Sequence, residues 1–422
     1  GNFPVADKLK EIADYYGFDG YFFNQEDRVP LEQIPLYQEF LHYARNLGMY
    51  IQWYDSIDAF TGQVRCMNWF VDNNSAFIRT EEYGDMANSI FLNYGWNANS
   101  VEESSAHAVS LGLDPQKTVF FGIEAGKDRW NQPHPEDALY WDEGGTNASI
   151  AVLGSDFVHN GLGEDVTGLS ENPHMNPDYQ WMTFERERIW FSGPEKDPSK
   201  AGVNTGIDNT KVTGNTTNQW GGVANYISER SVVDGSVFYT NFNTGHGMQY
   251  FKDGAVSNDE EWTNMNVQDI LPTWQWWMES EGTELSVNFD YGEKYNKGDY
   301  YNYQSVGAYD GGSSLVVNGK LDAENFLRLY KTDLQVKDST KASITFNKVS
   351  ATDSSTMELG VIFKNDPNTV VTFNIPRANQ QTDGWVTREI SLGDYAGEEI
   401  AAMGLVFKNG KDANDNYQMN IG

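Results

Sequence analysis

Apolar residues recur at helical spacing at Val5, Leu9, Ile12, Ala13 and Tyr16, and Gly17 follows as a natural stop. An aromatic strand, Tyr21–Asn24, comes next. Ile34, Tyr37, Phe40, Leu41, Ala44 and Leu47 predict a second amphipathic helix closed by Gly48. Met49–Tyr54 reads as a second strand ending in Trp53-Tyr54-Asp55. Met86–Phe91 leads into a third, closed by Asn93-Tyr94-Gly95-Trp96. A helix near Val101–Leu111 precedes a fourth strand, Val119–Glu124, and Ser149–Leu153 reads as a fifth. Strands alternating with amphipathic helices imply parallel βαβ units. No Gly-rich phosphate turn follows a strand, which argues against a doubly wound sheet. Polar and aromatic strand ends instead suit a (β/α)8 TIM barrel, where several strand ends converge on one site. Five units are visible, so the expectation is the fourth to eighth strands of a barrel whose earlier strands lie outside this chain.

The pattern changes further on. Residues 155–222 are rich in Pro, Asn, Gly and charge, and Lys196–Thr217 predicts a surface excursion. From about Ser231, short alternating runs are separated by Gly, Asn and Asp turns. They fall at Ser236–Thr240, Leu285–Phe289, Ser314–Val317, Ala342–Phe346, Glu358–Phe363, Val370–Ile375 and Ala402–Phe407. This spacing predicts an antiparallel β-sandwich. The expected fold class is therefore α/β, with barrel residues 1–225 followed by carbohydrate-binding-like sandwich residues 226–422.

Composition narrows the function classes. The 422 residues carry 29 basic against 61 acidic side chains, a formal charge of −32. A phosphate backbone would be repelled, so no nucleic-acid partner is expected. Aromatics make up 14%, more than core packing asks for, and pyranose rings stack on such side chains. Cys66 is the only cysteine, which rules out an intramolecular disulfide and a Cys-based zinc site. No apolar run is long enough for a membrane span. Asp and Asn spacing in the later loops matches no recognisable calcium loop, so no metal or cofactor is expected, and a monomer is.

Side chains on a strand alternate sides, so Asn24 and Glu26 are expected to point the same way at the end of the first strand. Among Tyr21, Phe22 and Phe23, the Glu26 carboxyl should be desolvated, which suits a general acid working near neutral pH. A glycosidase normally pairs two carboxylates. An amide two residues before the acid cannot serve as nucleophile, but it can orient a nucleophile carried by the substrate. If that nucleophile is the 2-acetamido oxygen of N-acetylglucosamine, the intermediate is a cyclic oxazolinium. Glu26 then supplies the acid and Asn24 the polar group beside the acetamide nitrogen.

Asp19-Gly20-Tyr21-Phe22-Phe23-Asn24-Gln25-Glu26 resembles the Asp-Gly-x-x-x-Asn-x-Glu segment of glycoside hydrolase family 85, the endo-β-N-acetylglucosaminidases of N-glycans. The register also fits family 18 chitinases, but with Phe22 and Asn24 in place of two aspartates, which favours family 85. Gln52-Trp53-Tyr54-Asp55-Ser56 and Phe91-Leu92-Asn93-Tyr94-Gly95-Trp96 resemble that family's fifth and sixth barrel strands. Thr240–Gly247 and Gln268–Trp276 resemble the start of its sandwich. The resemblance covers at least residues 1–290. It implies Glu26 as acid/base, Asn24 as the group polarising the acetamide, and Tyr54 as a hydrogen-bond partner of the oxazoline. It also implies Trp96 as a sugar-stacking ring, Asn93 and Glu124 as hydroxyl contacts, and Trp69, with Asn68, as cleft lining. His246 reads as structural, and Trp274, Trp276 and Trp277 as packing residues at the sandwich entry.

The implied reaction is retaining hydrolysis of the β-1,4 bond in the diacetylchitobiose core, with transglycosylation when a sugar replaces water. N-linked glycoproteins are the implied partners, and an extracellular or cell-surface location is expected, with the cytoplasm as the alternative. The competing readings are a non-catalytic glycan-binding or adhesin module and a chitinase-like hydrolase.

Overall fold

The computed structural model describes residues 3–128, 147–160, 186–193, 196–197, 200–201, 221–225, 231–273, 277–298 and 301–422. The expected Lys196–Thr217 excursion lies largely outside them, as do Trp274 and Trp276. The chain forms two compact units, with residues 3–160 in the first and 231–422 in the second.

The first unit is a five-stranded parallel sheet. Its strands are β1 (Gly20–Phe23), β2 (Tyr50–Tyr54), β3 (Ser89–Leu92), β4 (Val119–Glu124) and β5 (Ser149–Leu153), paired in sequence order. Helix α1 (Pro4–Tyr16) precedes β1, α2 (Ile34–Asn46) stands between β1 and β2, and α3 (Ala98–Ser110) between β3 and β4. Each helix end follows from local chemistry. Gly17 takes the left-handed conformation at φ 77° and its N–H closes on the Ala13 carbonyl. Asn97 caps α3 through its side chain, with Ser100 returning the bond.

Register decides which side chains face which way. Phe22 lies beside Gln52, Tyr54 beside Phe91, and Phe91 beside Phe120. These even-odd rows face away from the helices: Phe22 packs edge-on against Tyr54 and also meets Phe91. The alternate residues face the helices. Tyr21 donates to the Leu9 carbonyl of α1 at 2.7 Å, Phe23 meets Phe40 of α2, and Trp53 is fully buried between Tyr37 and Phe77. One departure is at α1, where Ala6 and Ala13 are buried while the larger Val5, Ile12 and Tyr16 stay exposed.

Gly122 on β4 is a packing requirement. A Cβ there would stand 2.5 Å from the Leu92 carbonyl oxygen, 2.7 Å from the Phe91 ring and 2.9 Å from the Tyr94 ring. Gly122→Ala is therefore expected to cost about 2–3 kcal/mol of stability through overpacking and to shift the Tyr94 ring. Urea unfolding and near-ultraviolet dichroism check both parts.

The second unit is a β-sandwich. One sheet contains β6 (Trp277–Ser280), β9 (Asn325–Gln335), β14 (Glu399–Lys408), β11 (Thr356–Phe363) and β12 (Asp366–Asn374) in that order. The other contains β7 (Ser286–Asp290), β8 (Ser314–Leu321), β15 (Asn414–Ile421), β10 (Lys341–Lys348) and β13 (Val386–Ser391). Leu315, Val317, Phe346, Met357, Leu405, Phe407, Tyr417 and Met419 meet in the core between them. Lys348 is fully buried there, paired with Asp353 at 2.9 Å and bonded to Ser355. The expected strand over Ser236–Thr240 is absent. That segment is irregular chain after a short two-residue strand at Asp234–Gly235, and Val237 and Tyr239 are exposed. Trp277 lies on β6 under the Arg328 guanidinium at 4.3 Å. His246 holds Thr244 Oγ1 at 3.0 Å and packs on Tyr291.

Candidate active site at the strand ends

The C-terminal ends of β1 to β4 carry the candidate chemistry. β1 stops at Phe23, so Asn24 and Glu26 sit on the loop beyond it, and both are exposed. This corrects the expected desolvation of Glu26 by its neighbouring rings. Tyr21 and Phe23 turn to the helices and Phe22 turns to Tyr54, so none of the three covers the carboxyl. Gln25, between the two candidates, anchors the loop. Its carbonyl accepts the Ser56 hydroxyl, and its side chain accepts from Tyr37 at 3.2 Å and donates to the Asp27 carbonyl at 2.9 Å. Further along, Val29 donates to the Gly62 carbonyl at 3.0 Å. The loop that carries Glu26 is thus fastened to the loop after β2.

Tyr54 ends β2 and is 6% exposed. Its hydroxyl bonds to that of Tyr94, just past β3. Burial first, then the charge of Asp55, raises the Tyr54 pKa, and Glu26 adds to the rise. Burial and the Glu124 charge do the same for Tyr94, with smaller contributions from Asp55 and Glu26. Both phenols are therefore neutral hydroxyl donors at any working pH. These influences tie Glu26 and Asp55 to the Tyr54–Tyr94 pair, and Glu124 to Tyr94.

Asp55 and Tyr94 were not singled out from the sequence as site residues. The available signal was their place at strand ends. Asp55 is fully buried, and Met67 N–H donates to its Oδ2. Burial pushes its carboxyl up to about 8 against the pull of the backbone N–H groups, and the Glu26 charge adds to the rise. Glu124, half-buried at the end of β4, is the remaining carboxyl, tied to Tyr94.

The other expected site residues take different positions. Trp96 is 3% exposed, its Nε1 donates to the Gly122 carbonyl at 2.7 Å, and its ring packs on Phe121. A sugar-stacking platform needs an open ring face, so here Trp96 is core rather than platform. Asn93 is half-buried and its Oδ1 accepts from Tyr94 N–H at 2.5 Å. Trp69 is half-buried, and its carbonyl accepts the Asn74 amide at 2.9 Å. Beside it, Asn68 Oδ1 accepts Gly95 N–H at 2.8 Å, tying this loop to the end of β3. The arrangement offers one exposed acid beside two neutral phenols. That set suits protonation of a leaving oxygen with hydrogen-bond donors held around the reacting carbon.

The glycosyl hydrolase family 85 model matches residues 1–250. The chain is 24% identical over 360 residues to cytosolic endo-beta-N-acetylglucosaminidase 2 of Arabidopsis thaliana, covering 79% of this chain and 42% of that protein. It is 22% identical over 325 residues to the Danio rerio cytosolic endo-beta-N-acetylglucosaminidase, covering 75% of this chain and 36% of that protein. Among solved structures, it resembles the glycoside hydrolase domain of Endo-D from Streptococcus pneumoniae R6. The TM-score is 0.75 at 26% identity, over 100% of this chain and 61% of that one. The chain thus spans about two-fifths of the length of these curated relatives. Their names place them in the cytosol, which lends the expected extracellular location no support.

Proposed function

The chain belongs to glycosyl hydrolase family 85, and from that premise we propose that it acts as an endo-β-N-acetylglucosaminidase on the diacetylchitobiose core of N-glycans. The observation that carries this reading is the cluster of Glu26 with Tyr54 and Tyr94 at the ends of parallel strands. In the proposed mechanism, Glu26 protonates the leaving glycosidic oxygen while the substrate's acetamide oxygen attacks the anomeric carbon. Asn24 orients and polarises that acetamide, and a neutral Tyr54 hydroxyl donates to the forming oxazoline. Glu26 then takes a proton from water, which opens the oxazoline with net retention. A sugar acceptor in place of water gives transglycosylation. Asn93 and Glu124 are assigned to sugar hydroxyls, and Trp69 to the cleft wall.

The catalytic part is proposed to be residues 1–225, folded as part of a (β/α)8 barrel, with the sandwich over 226–422. The names of the relatives favour a cytosolic setting. Incubation with a denatured N-glycoprotein tests the reading. It is expected to release glycans with one reducing-end N-acetylglucosamine and to leave a single N-acetylglucosamine on the asparagine. Glycan binding without release would select the adhesin reading, and cleavage of chitin oligomers alone the chitinase-like one.

A further inference from the structure

The loop after β2 and the end of β3 are joined through one buried carboxyl. Asp55 N–H donates to the Phe91 carbonyl at 3.1 Å, and Met67 N–H donates to Asp55 Oδ2. Asn93 N–H in turn donates to the Met67 carbonyl at 3.0 Å. A continuous path of bonds thus runs from Asp55 through Met67 to the Asn93-Tyr94 turn. The same side chain has zero exposure, and its Oδ1 has no hydrogen-bond partner among the described residues.

A buried carboxylate with one oxygen unpaired is costly, whereas the protonated acid is far cheaper to bury. Of the groups around Asp55, the backbone N–H groups of Met67, Asn93 and Asp55 itself favour its charge, and the side chains that face it do not. Glu26 faces it from the loop after β1, Tyr54 adjoins it on β2, and Tyr94 faces it from the end of β3. Glu124 of β4 acts on Tyr94, and Cys66 acts on Tyr54. Arg65, the cation of the intervening loop, is paired with Asp58 at 3.4 Å.

We propose that Asp55 is a positioning residue that works in its neutral form, holding the Met67 loop and the Asn93-Tyr94 turn so that Tyr54 and Tyr94 stand beside Glu26. Ionisation adds a negative charge beside Glu26 and leaves that charge buried with Oδ1 unpaired. The inference rests on the hydrolase reading above, and it concerns a residue that does not itself touch the reacting atoms.

The test is the pH dependence of glycan release by wild type and Asp55→Asn. The amide keeps an acceptor for Met67 N–H and cannot ionise. Wild-type kcat is expected to fall as pH rises through about 8, the value to which burial pushes Asp55. In Asp55→Asn, kcat near pH 6 should stay within about threefold of wild type, and the alkaline fall should move up by about one pH unit or more. Superimposable alkaline limbs would overturn the inference. So would a loss of about a hundredfold at pH 6 with an unchanged melting temperature, because the carboxyl would then take part in the chemistry. If wild type releases no glycan, the hydrolase reading fails by itself. The Asp55 carboxyl titration, followed by its 13C shift, still decides the inference: a midpoint near 4 overturns it and one near 8 supports the neutral carboxyl.

Discussion

Glu26→Gln is expected to lose glycan release by about a thousandfold or more while the protein folds as wild type. General acid–base assistance contributes roughly 10²–10⁴ in rate, and in the proposed mechanism one carboxyl serves both half-reactions. The amide can neither protonate the leaving oxygen nor activate water. The cost to folding should be within about 0.5 kcal/mol, because Glu26 is exposed on its loop. The anchoring of that loop through Gln25, Ser56 and Tyr37 does not involve the replaced group. Rates of release by chromatography and a denaturant midpoint measure the two effects. Full activity in Glu26→Gln would remove the acid/base assignment, and with it the proposed mechanism.

Asn24→Ala separates the two halves of the reaction. An amide that polarises the acetamide matters while the oxazoline forms and less once it exists. Loss of one such preorganised partner costs roughly 10²–10³ in rate. Hydrolysis of intact glycan should therefore fall by about a hundredfold, while consumption of a preformed oxazoline donor falls by about tenfold or less. Equal losses in the two assays would count against the role given to Asn24. Like Glu26, Asn24 is exposed beyond the strand, so a loss of folding should not confuse the result.

Much of the first unit was legible in the sequence. All five parallel strands and their three main helices fall within a few residues of where periodicity puts them. The sandwich was half legible. Ser314–Val317, Ala342–Phe346, Glu358–Phe363 and Ala402–Phe407 lie inside observed strands, and Leu285–Phe289 and Val370–Ile375 overlap theirs by all but one residue, whereas Trp277–Ser280, Asn325–Gln335, Val386–Ser391 and Asn414–Ile421 were missed. The last of these shows why. Asn-Asp-Asn-Tyr-Gln-Met-Asn-Ile looks like a turn, yet it is a central strand. Tyr417, Met419 and Ile421 enter the core, while Gln418 bonds the Gln304 carbonyl at 2.8 Å and Asn420 bonds Asp290 at 2.9 Å. Polar strand residues are tolerated because partners more than a hundred positions away satisfy them.

The same division runs through the site. The chain by itself determined that an amide and an acid follow an aromatic strand in a βα alternation, because strand and helix periods are local properties of neighbouring residues. Only the tertiary structure decided the environment of each group. It turned Tyr21 and Phe23 to the helices and left Glu26 open to solvent. It closed Trp96 into the core against Phe121, and it buried Asp55 under Met67. Solvation and charge are set by whatever packs around a side chain, and here those neighbours come from other strands and loops.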